Sequence, residues 1–175
     1  MTWTNEDGLI QRFGVERSTS QTQGVSTRGV KNYLVVDLPD ATALVDTLGT
    51  SYPPDEDSPY IPADSLITGA WFAATTDFTS AAGTATLDIG LITATGAITD
   101  ADGIAADITV TELTDAAAAG SVACNGAYVC NGSGSTTTVR DGAKVVGANA
   151  YVGFSYETQA FTAGAGTLVV EYIKL

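Results

Sequence analysis

Hydrophobic and polar residues alternate with a period of two along several stretches of the chain, and this pattern predicts β-strands. Between residues 85 and 91 the hydrophobic positions are all odd-numbered, while positions 84, 86 and 88 hold threonine or aspartate. Residues 104–110 alternate in the same way. Residues 30–38 are rich in β-branched side chains and end at Pro39, which favours a first strand there. Strands with one buried face follow from these patterns.

A longer strand is predicted over residues 64–77, with Trp71 and Phe72 on opposite faces. Adjacent large aromatic residues in a strand are typical of a central strand that is covered on both sides. Residues 95–103 are predicted to form a turn. Residues 121–130 are predicted to form a short hairpin, because they contain Asn-Gly, a dipeptide that favours tight turns.

One short phrase occurs twice. Residues 78–84 read FTSAAGT and residues 161–167 read FTAGAGT, so five of seven positions are identical at an offset of 83. Each copy follows an aromatic, strand-like run and precedes an alternating run. The repeat predicts two equivalent hairpins, each made of a strand, a turn of small residues and a strand. Residues 151–158 and 167–175 would form the second of these, closing the chain.

Many short strands with turn residues between them, and almost no helical periodicity, predict an all-β protein. Equivalent hairpins far apart in the sequence suit a jelly-roll-like antiparallel β-sandwich, which is built from two Greek keys. An immunoglobulin-like sandwich is the alternative. It is less favoured because the Cys…Trp…Cys spacing typical of that fold is absent.

The first 31 residues differ in composition from the rest of the chain. They are rich in Gln, Ser, Thr and Gly, with a few large apolar residues that include Trp3, Leu9 and Phe13. Such a segment cannot bury enough apolar surface to fold alone. We therefore predict an extended N-terminal arm over residues 1–31, followed by a sandwich domain over residues 32–175. The arm either lies on its own domain or contacts a neighbouring subunit.

The charge excludes several partners. Seven basic and 20 acidic residues give a net charge of −13, and no basic residue occurs from position 32 to 139. Nucleic acid and anionic membrane surfaces would repel such a chain. The sequence has neither an apolar run long enough to span a membrane nor a start typical of a signal peptide, so we expect a protein made and kept in a cytoplasm.

Residues that could carry chemistry are few. The chain has no histidine, which excludes Ser-His-Asp and Cys-His catalysis. Paired carboxylates, as in glycosidases, stay formally possible, but no pair has a distinguishing context, so we expect no enzyme activity and no cofactor. Residues 100–107 resemble the start of a calcium loop, but Ile104 stands where that loop needs Asp or Asn, and Thr111 stands where it needs glutamate. An ordinary turn is favoured, and an ion at Asp100 and Asp102 remains an open alternative. Cys124 and Cys130 are expected to be reduced thiols.

Five phrases, in their order along the chain, resemble the capsid decoration (cement) proteins of tailed bacteriophages with a jelly-roll core. The phrases are Asp7-Gly-Leu-Ile-Gln-Arg-Phe-Gly14, Leu34-Val-Val-Asp37, Phe78-Thr with the run Gly83-Thr-Ala-Thr-Leu-Asp-Ile-Gly-Leu91, Asp100-Ala-Asp-Gly103 and Phe161-Thr-Ala-Gly-Ala-Gly166. The resemblance covers most of the chain and contains no catalytic motif.

The resemblance implies a structural virion protein that binds the outside of an assembled shell and clamps neighbouring coat subunits. It implies the major capsid protein as the partner, a homotrimer as the oligomeric state, and assembly in the host cytoplasm. The candidate partner-binding residues lie in the arm: Trp3, Leu9, Arg12, Phe13 and Arg17. A head-fibre or tail-associated receptor-binding domain, or a carbohydrate-binding β-sandwich, is the alternative.

Overall fold

A computed structural model of the chain describes residues 2–4, 10–12, 31–46, 58–113, 121–130 and 145–175. These residues contain eleven β-strands and two short 3-10 turns, at Ala41–Ala43 and Val110–Leu113. The strands are β1 Thr2–Thr4, β2 Ile10–Arg12, β3 Lys31–Leu38, β4 Tyr60–Ile61, β5 Ser65–Ser80, β6 Thr86–Ile92, β7 Ile98–Thr109, β8 Ser121–Ala123, β9 Val145–Val146, β10 Ala150–Glu157 and β11 Phe161–Lys174.

Two antiparallel sheets pack together as a β-sandwich, so the predicted all-β sandwich is confirmed. The five-stranded sheet has the order β3-β11-β5-β8, and β9 also pairs with β5. The four-stranded sheet has the order β4-β10-β6-β7. Strands β1 and β2 form a separate two-stranded sheet. The jelly-roll connectivity and the domain boundary at residue 31 stay predictions.

The core lies between the two larger sheets. Phe72 of β5 and Phe154 of β10 meet edge to face across it, with ring centroids 6.1 Å apart. Alternate residues of each strand point into this layer because successive side chains of a strand lie on opposite faces. The prediction that Trp71 and Phe72 lie on opposite faces of β5 is therefore confirmed. The prediction that both faces are covered is wrong at this point, because Phe72 is fully buried while Trp71 is exposed on the outer face.

The prediction of two equivalent hairpins is wrong. The first phrase connects β5 of one sheet to β6 of the other, and the second phrase lies inside the continuous strand β11. The two copies instead lie against each other on adjacent strands. Phe78 and Phe161 meet edge to face at 5.2 Å, and the hydroxyls of Thr79 and Thr162 are 2.8 Å apart.

A glycine makes this contact between the two phrases possible. Gly164 has φ of +145°, and a Cβ atom there would lie 2.5 Å from the Phe78 ring. A residue with a side chain would therefore be strained and would displace the ring. The predicted closing hairpin of residues 151–158 and 167–175 is also wrong. The two strands involved, β10 and β11, belong to different sheets and therefore do not pair with each other.

Two predicted turns are also different in the structure. Residues 98–103 belong to β7, and the turn before them is at residues 93–97. The predicted hairpin around Asn125-Gly126 is absent, since β8 pairs with β5 and the Gly126 amide donates to the Ile104 carbonyl at 2.8 Å. A Cβ atom on Gly126 would meet the Gly103 carbonyl at 2.4 Å, so this glycine serves close packing against β7.

Candidate interaction surfaces

The outer face of the five-stranded sheet carries an apolar row that crosses four strands. Val35 of β3 lies opposite Val169 of β11, Val169 lies opposite Trp71 of β5, and Trp71 lies opposite Ala123 of β8. Val35 is 53% exposed and Trp71 is 37% exposed. We term these four residues the Trp71 row. Exposed aromatic and aliphatic residues in register on a rigid sheet are typical of protein interaction surfaces.

Gly69 determines the position of the Trp71 ring. A Cβ atom on Gly69 would lie 2.6 Å from Cη2 and 3.0 Å from Cζ2 of the indole. The indole therefore covers the backbone of β5 at the one position where no side chain competes for the space. A ring held in this way loses little conformational freedom when a partner covers it.

A buried carboxylate lies beside the Trp71 row. Glu171 of β11 is only 7% exposed, although it belongs to the outer face of the sheet. Lys31 contacts Oε1 at 2.9 Å and Oε2 at 3.1 Å, and the Tyr33 hydroxyl donates to Oε2 at 3.0 Å. The Thr68 hydroxyl donates to Oε1 at 2.6 Å. Three strands thus meet at one carboxylate.

A register shift in β5 brings Thr68 to this carboxylate. Glu171 pairs with Gly69 while the next residue, Tyr172, pairs with Ile67, so Thr68 is an extra residue on β5. A bulge of this kind redirects one side chain out of the regular alternation.

The donors shift the pKa values of the group. Hydrogen bonds from Thr68 and Lys31 lower the pKa of Glu171, and the hydrogen bond to Glu171 raises the pKa of Lys31 and of Tyr33. The carboxylate is therefore ionised and the ammonium charged across the neutral pH range.

The outer face of the four-stranded sheet is acidic. Asp88 of β6 is 6% exposed, and its Oδ1 accepts a hydrogen bond from the Asp107 amide at 2.7 Å. Burial raises the pKa of Asp88, and the charges of Glu157, Asp107 and Asp102 raise it further. The Asp107 amide opposes this rise. Within the described residues, the neighbouring charges that act on this carboxylate are negative, in contrast to the setting of Glu171.

An irregularity in β7 positions the Asp107 amide. Leu87 pairs with Ile108 and Ile89 pairs with Ala105, which leaves two residues of β7 opposite Asp88. Asp107 has φ of +54°, in the left-handed region. The same face also has an apolar end, where Tyr60, Tyr151, Ile92 and Ile98 lie in register across the four strands.

The predicted partner-binding residues lie in the arm. Trp3 and Arg12 belong to β1 and β2, where Trp3 pairs with Gln11 and Arg12 pairs with Thr2. Leu9, Phe13 and Arg17 lie outside the described residues. A partner-binding role for these five residues stays a prediction.

The sequence analysis did not find the Glu171 network. One signal was available, since Glu171 is the only charged residue between Phe161 and Ile173, in an otherwise uncharged run. Its partners could not have been found in this way, because Thr68 and Lys31 are 103 and 140 residues away in the sequence.

The described part of the chain gives little support to the other candidate sites, which are a metal site and reactive cysteines. It holds no group of three or more His, Cys, Asp or Glu residues that could bind a metal ion. Asp100 and Asp102 both lie in β7. Cys124 is buried, which raises its pKa to about 12, and Cys130 is exposed. No helix within the described ranges is long and apolar enough to cross a membrane.

Two solved structures share this fold. One is a chain of the cyanophage Pam1 capsid asymmetric unit, with a TM-score of 0.53 and 14% identity, covering 91% of this chain and 95% of that chain. The other is a chain of the capsid of Ralstonia phage GP4, with a TM-score of 0.50 and 16% identity, covering 85% of this chain and 86% of that chain. At these identities the likeness is one of fold.

Comparison by sequence adds no relative. No protein-family description matches the chain, and no curated protein matches it.

Proposed function

We propose that this chain is a structural protein of a bacteriophage virion that decorates the outside of the capsid and stabilises it. The observation that carries the proposal is the shared fold with two phage capsid chains, which extends over 91% and 85% of this chain. A likeness that covers nearly the whole of both chains argues for the same kind of component rather than for one widespread motif.

The decorating chain acts by adding interface area between neighbouring coat subunits. Its partner is the major capsid protein, and it binds as a homotrimer assembled in the host cytoplasm. The arm supplies the contacts of Trp3, Leu9, Arg12, Phe13 and Arg17, and the sandwich supplies rigid faces. Many such contacts in a symmetric array add up even when each is weak.

The charge distribution fits an outer position. In the described part of the four-stranded sheet, the exposed carboxylates of Asp102, Asp107 and Glu157 lie close enough to the buried Asp88 to act on it, so negative charge is concentrated on this side of the sheet. Packaged DNA would repel this side, so an outer location is favoured over an inner one. This argument also supports the expectation that the chain binds neither nucleic acid nor an anionic membrane.

Thermal stability of particles tests the proposal. Particles with and without this protein are heated, and DNA release is followed with a dye. We expect particles without it to release DNA at a lower temperature, and purified protein to restore the stability when added back. Equal release temperatures, or failure of the purified protein to bind the particles, would contradict the proposal. A protein that lacks residues 1–20 tests the arm, since it should bind particles more weakly.

A carbohydrate-binding role is the second candidate, and the position of Trp71 is the observation that favours it. An exposed indole that lies flat on a sheet can stack against a sugar ring. A glycan array tests this candidate. Clear hits that are lost in Trp71→Ala would support it, and an array without hits would exclude it for the glycans tested.

A further inference from the structure

The edges of the two sheets differ in how well they resist pairing with another strand. In the four-stranded sheet, β4 has two residues, and β7 has three register shifts and carries Asp100, Asp102 and Asp107. In the five-stranded sheet, β8 has three residues. Short strands, irregular register and charges are the usual protections of a sheet edge. These three edges are therefore protected.

Among the residues that the structure describes, strand β3 lacks these protections. It has eight residues, and its pairing with β11 runs from Lys31 to Leu38 without a register shift. Its charged residues, Lys31 and Asp37, lie near its two ends, and residues 32–36 between them are uncharged. Tyr33 and Val35 are 61% and 53% exposed on its outer face. A long, regular edge with exposed apolar residues is a template for an added strand.

We propose that two copies of this chain pair through β3, antiparallel and about a two-fold axis at Leu34, so that their five-stranded sheets join into one. In this register Tyr33 lies opposite the partner's Val35, and Lys31 lies opposite the partner's Asp37. The contact is isologous, with the same surface used on both copies.

Charge argues for a second copy as the occupant. A strand with a cation at one end and an anion at the other is complementary to itself when it is turned by two-fold symmetry. Lys31 keeps 62% of its side chain exposed while it contacts Glu171, and Asp37 is exposed while its Oδ1 accepts a hydrogen bond from the Thr167 hydroxyl. Each chain has a net charge of −13, so two copies repel each other. Contact through one edge strand does not bring their acidic faces together, and this limits the repulsion.

The register follows from the same residues. A slip by one position would place exposed residues opposite buried ones. A slip by two positions would place Lys31 opposite a partner residue without a negative charge. The register about Leu34 also joins the two apolar rows, since Val35 at the end of the Trp71 row contacts the partner's Tyr33.

A cross-linking experiment tests the register. In a Cys130→Ser background, one sample carries Tyr33→Cys and a second, of different tagged mass, carries Val35→Cys. The mixture is treated with a short thiol cross-linker. We expect the mixed product to exceed either homogeneous product several-fold, because directly opposite residues are within about 5.5 Å. A dominant Val35–Val35 product, or no product above that of an Ile98→Cys control on β7, would overturn the proposal.

Sedimentation equilibrium tests the pairing itself, with the full chain. We expect wild type to approach twice the chain mass as its concentration rises, or an even multiple if the copies are themselves oligomers. Val35→Lys places a charge in the middle of the edge and should raise the dissociation constant at least tenfold. Ile98→Lys is the matched control, since Ile98 is 47% exposed on an edge of the other sheet, and it should leave the mass unchanged.

Two results would overturn the pairing. One is a wild-type chain whose mass stays at one or at three copies up to about 100 μM, since two-fold pairing requires an even number. The other is an oligomer that Val35→Lys and Ile98→Lys change equally. Binding to capsids is a separate measurement, so the proposed function and this pairing can fail independently.

Discussion

Each outer face of the sandwich contains a buried carboxylate, and the surroundings of the two carboxylates shift their pKa values in opposite directions. Glu171 and Asp88 are 7% and 6% exposed, and each lies opposite an irregularity in a neighbouring strand. At Glu171 the irregularity in β5 adds the Thr68 hydroxyl as a third donor beside Lys31 and Tyr33. At Asp88 the irregularity in β7 supplies one donor, the backbone amide of Asp107. The pKa is lowered at Glu171 and raised at Asp88.

The difference teaches that burial alone does not determine the electrostatics of a face. Around Glu171 the positive charge of Lys31 balances the carboxylate, so this part of the face is close to neutral and suits contact with another protein surface. Around Asp88 the charges of described residues that act on it are negative, so the exposed carboxylates there, Asp102, Asp107 and Glu157, are suited to solvent or to a cationic partner. The same substitution, carboxylate to amide, can therefore be made at both positions as a matched pair.

Glu171→Gln should have the largest effect. The amide nitrogen of Gln would face donors from Lys31, Tyr33 or Thr68, so at least one hydrogen bond to a charged acceptor is lost. We expect the melting temperature at pH 7 to fall by several degrees, measured by calorimetry. An unchanged melting temperature would mean that the network contributes nothing to stability.

The pH dependence of that loss follows from the sign of each shift. The pKa of Glu171 is lowered by folding, so its contribution is present above the ordinary value of 4.5 and is lost as pH falls through the folded value. The pKa of Lys31 is raised from 10.5, so its contribution is lost as pH rises through the folded value. The difference between wild type and Glu171→Gln should be greatest between these limits. A difference that persists unchanged at pH 2 would contradict this account.

Asp88→Asn should have a smaller effect of the opposite sign. The Asn carbonyl can still accept from the Asp107 amide, and the repulsion from Glu157, Asp107 and Asp102 is removed. We expect a gain of less than about 1 kcal/mol in the free energy of unfolding at pH 7, measured with urea. The pKa of Asp88 is raised above 3.8, so ionisation costs stability as pH rises, and the gain should vanish below that value. A loss of stability at pH 7 would show that the Asp88 charge is stabilising.

Gly69→Ala should have the smallest effect on stability and a local effect on the Trp71 row. The new methyl group would displace the indole, which can move because it is the far end of an exposed side chain. In a Trp3→Phe background Trp71 is the only tryptophan. We expect its emission to shift to longer wavelength, with the free energy of unfolding changed by less than about 1 kcal/mol. An unshifted emission would contradict the contact, and Gly147→Ala, which has open space around it, is the control.

The sequence predicted the positions of the strands better than it predicted which strands pair with each other. Strand-favouring residue types located β3 and most of β5. Period-two alternation located the core residues of β6, because the alternation is imposed by the strand itself. It missed that the other face of β6 is also covered, where Asp88 and Ile92 are buried. The repeated phrase was misread because similar strands can pair with each other as well as form similar hairpins, and Phe78 and Phe161 do the former.

The candidate surfaces were largely out of reach of the sequence for the same reason. Each depends on residues brought together from distant strands, such as Lys31, Thr68 and Glu171. The placement of Trp71 and Phe72 on opposite faces could be predicted, because successive side chains of a strand alternate. The exposure of Trp71 could not, because the same pattern suits a strand that is covered on both sides. The register that makes it part of a row with Val169 and Val35 follows from sheet order, which the alternation does not encode.

The number of copies of this protein in purified particles tests the central claim most directly. Quantitative mass spectrometry of intact, DNA-filled particles gives its ratio to the major capsid protein. A decorating protein should be present in many copies at a fixed ratio, and an antibody against it should bind intact particles. Absence from the particles, or a few copies that separate with the tail, would contradict the account.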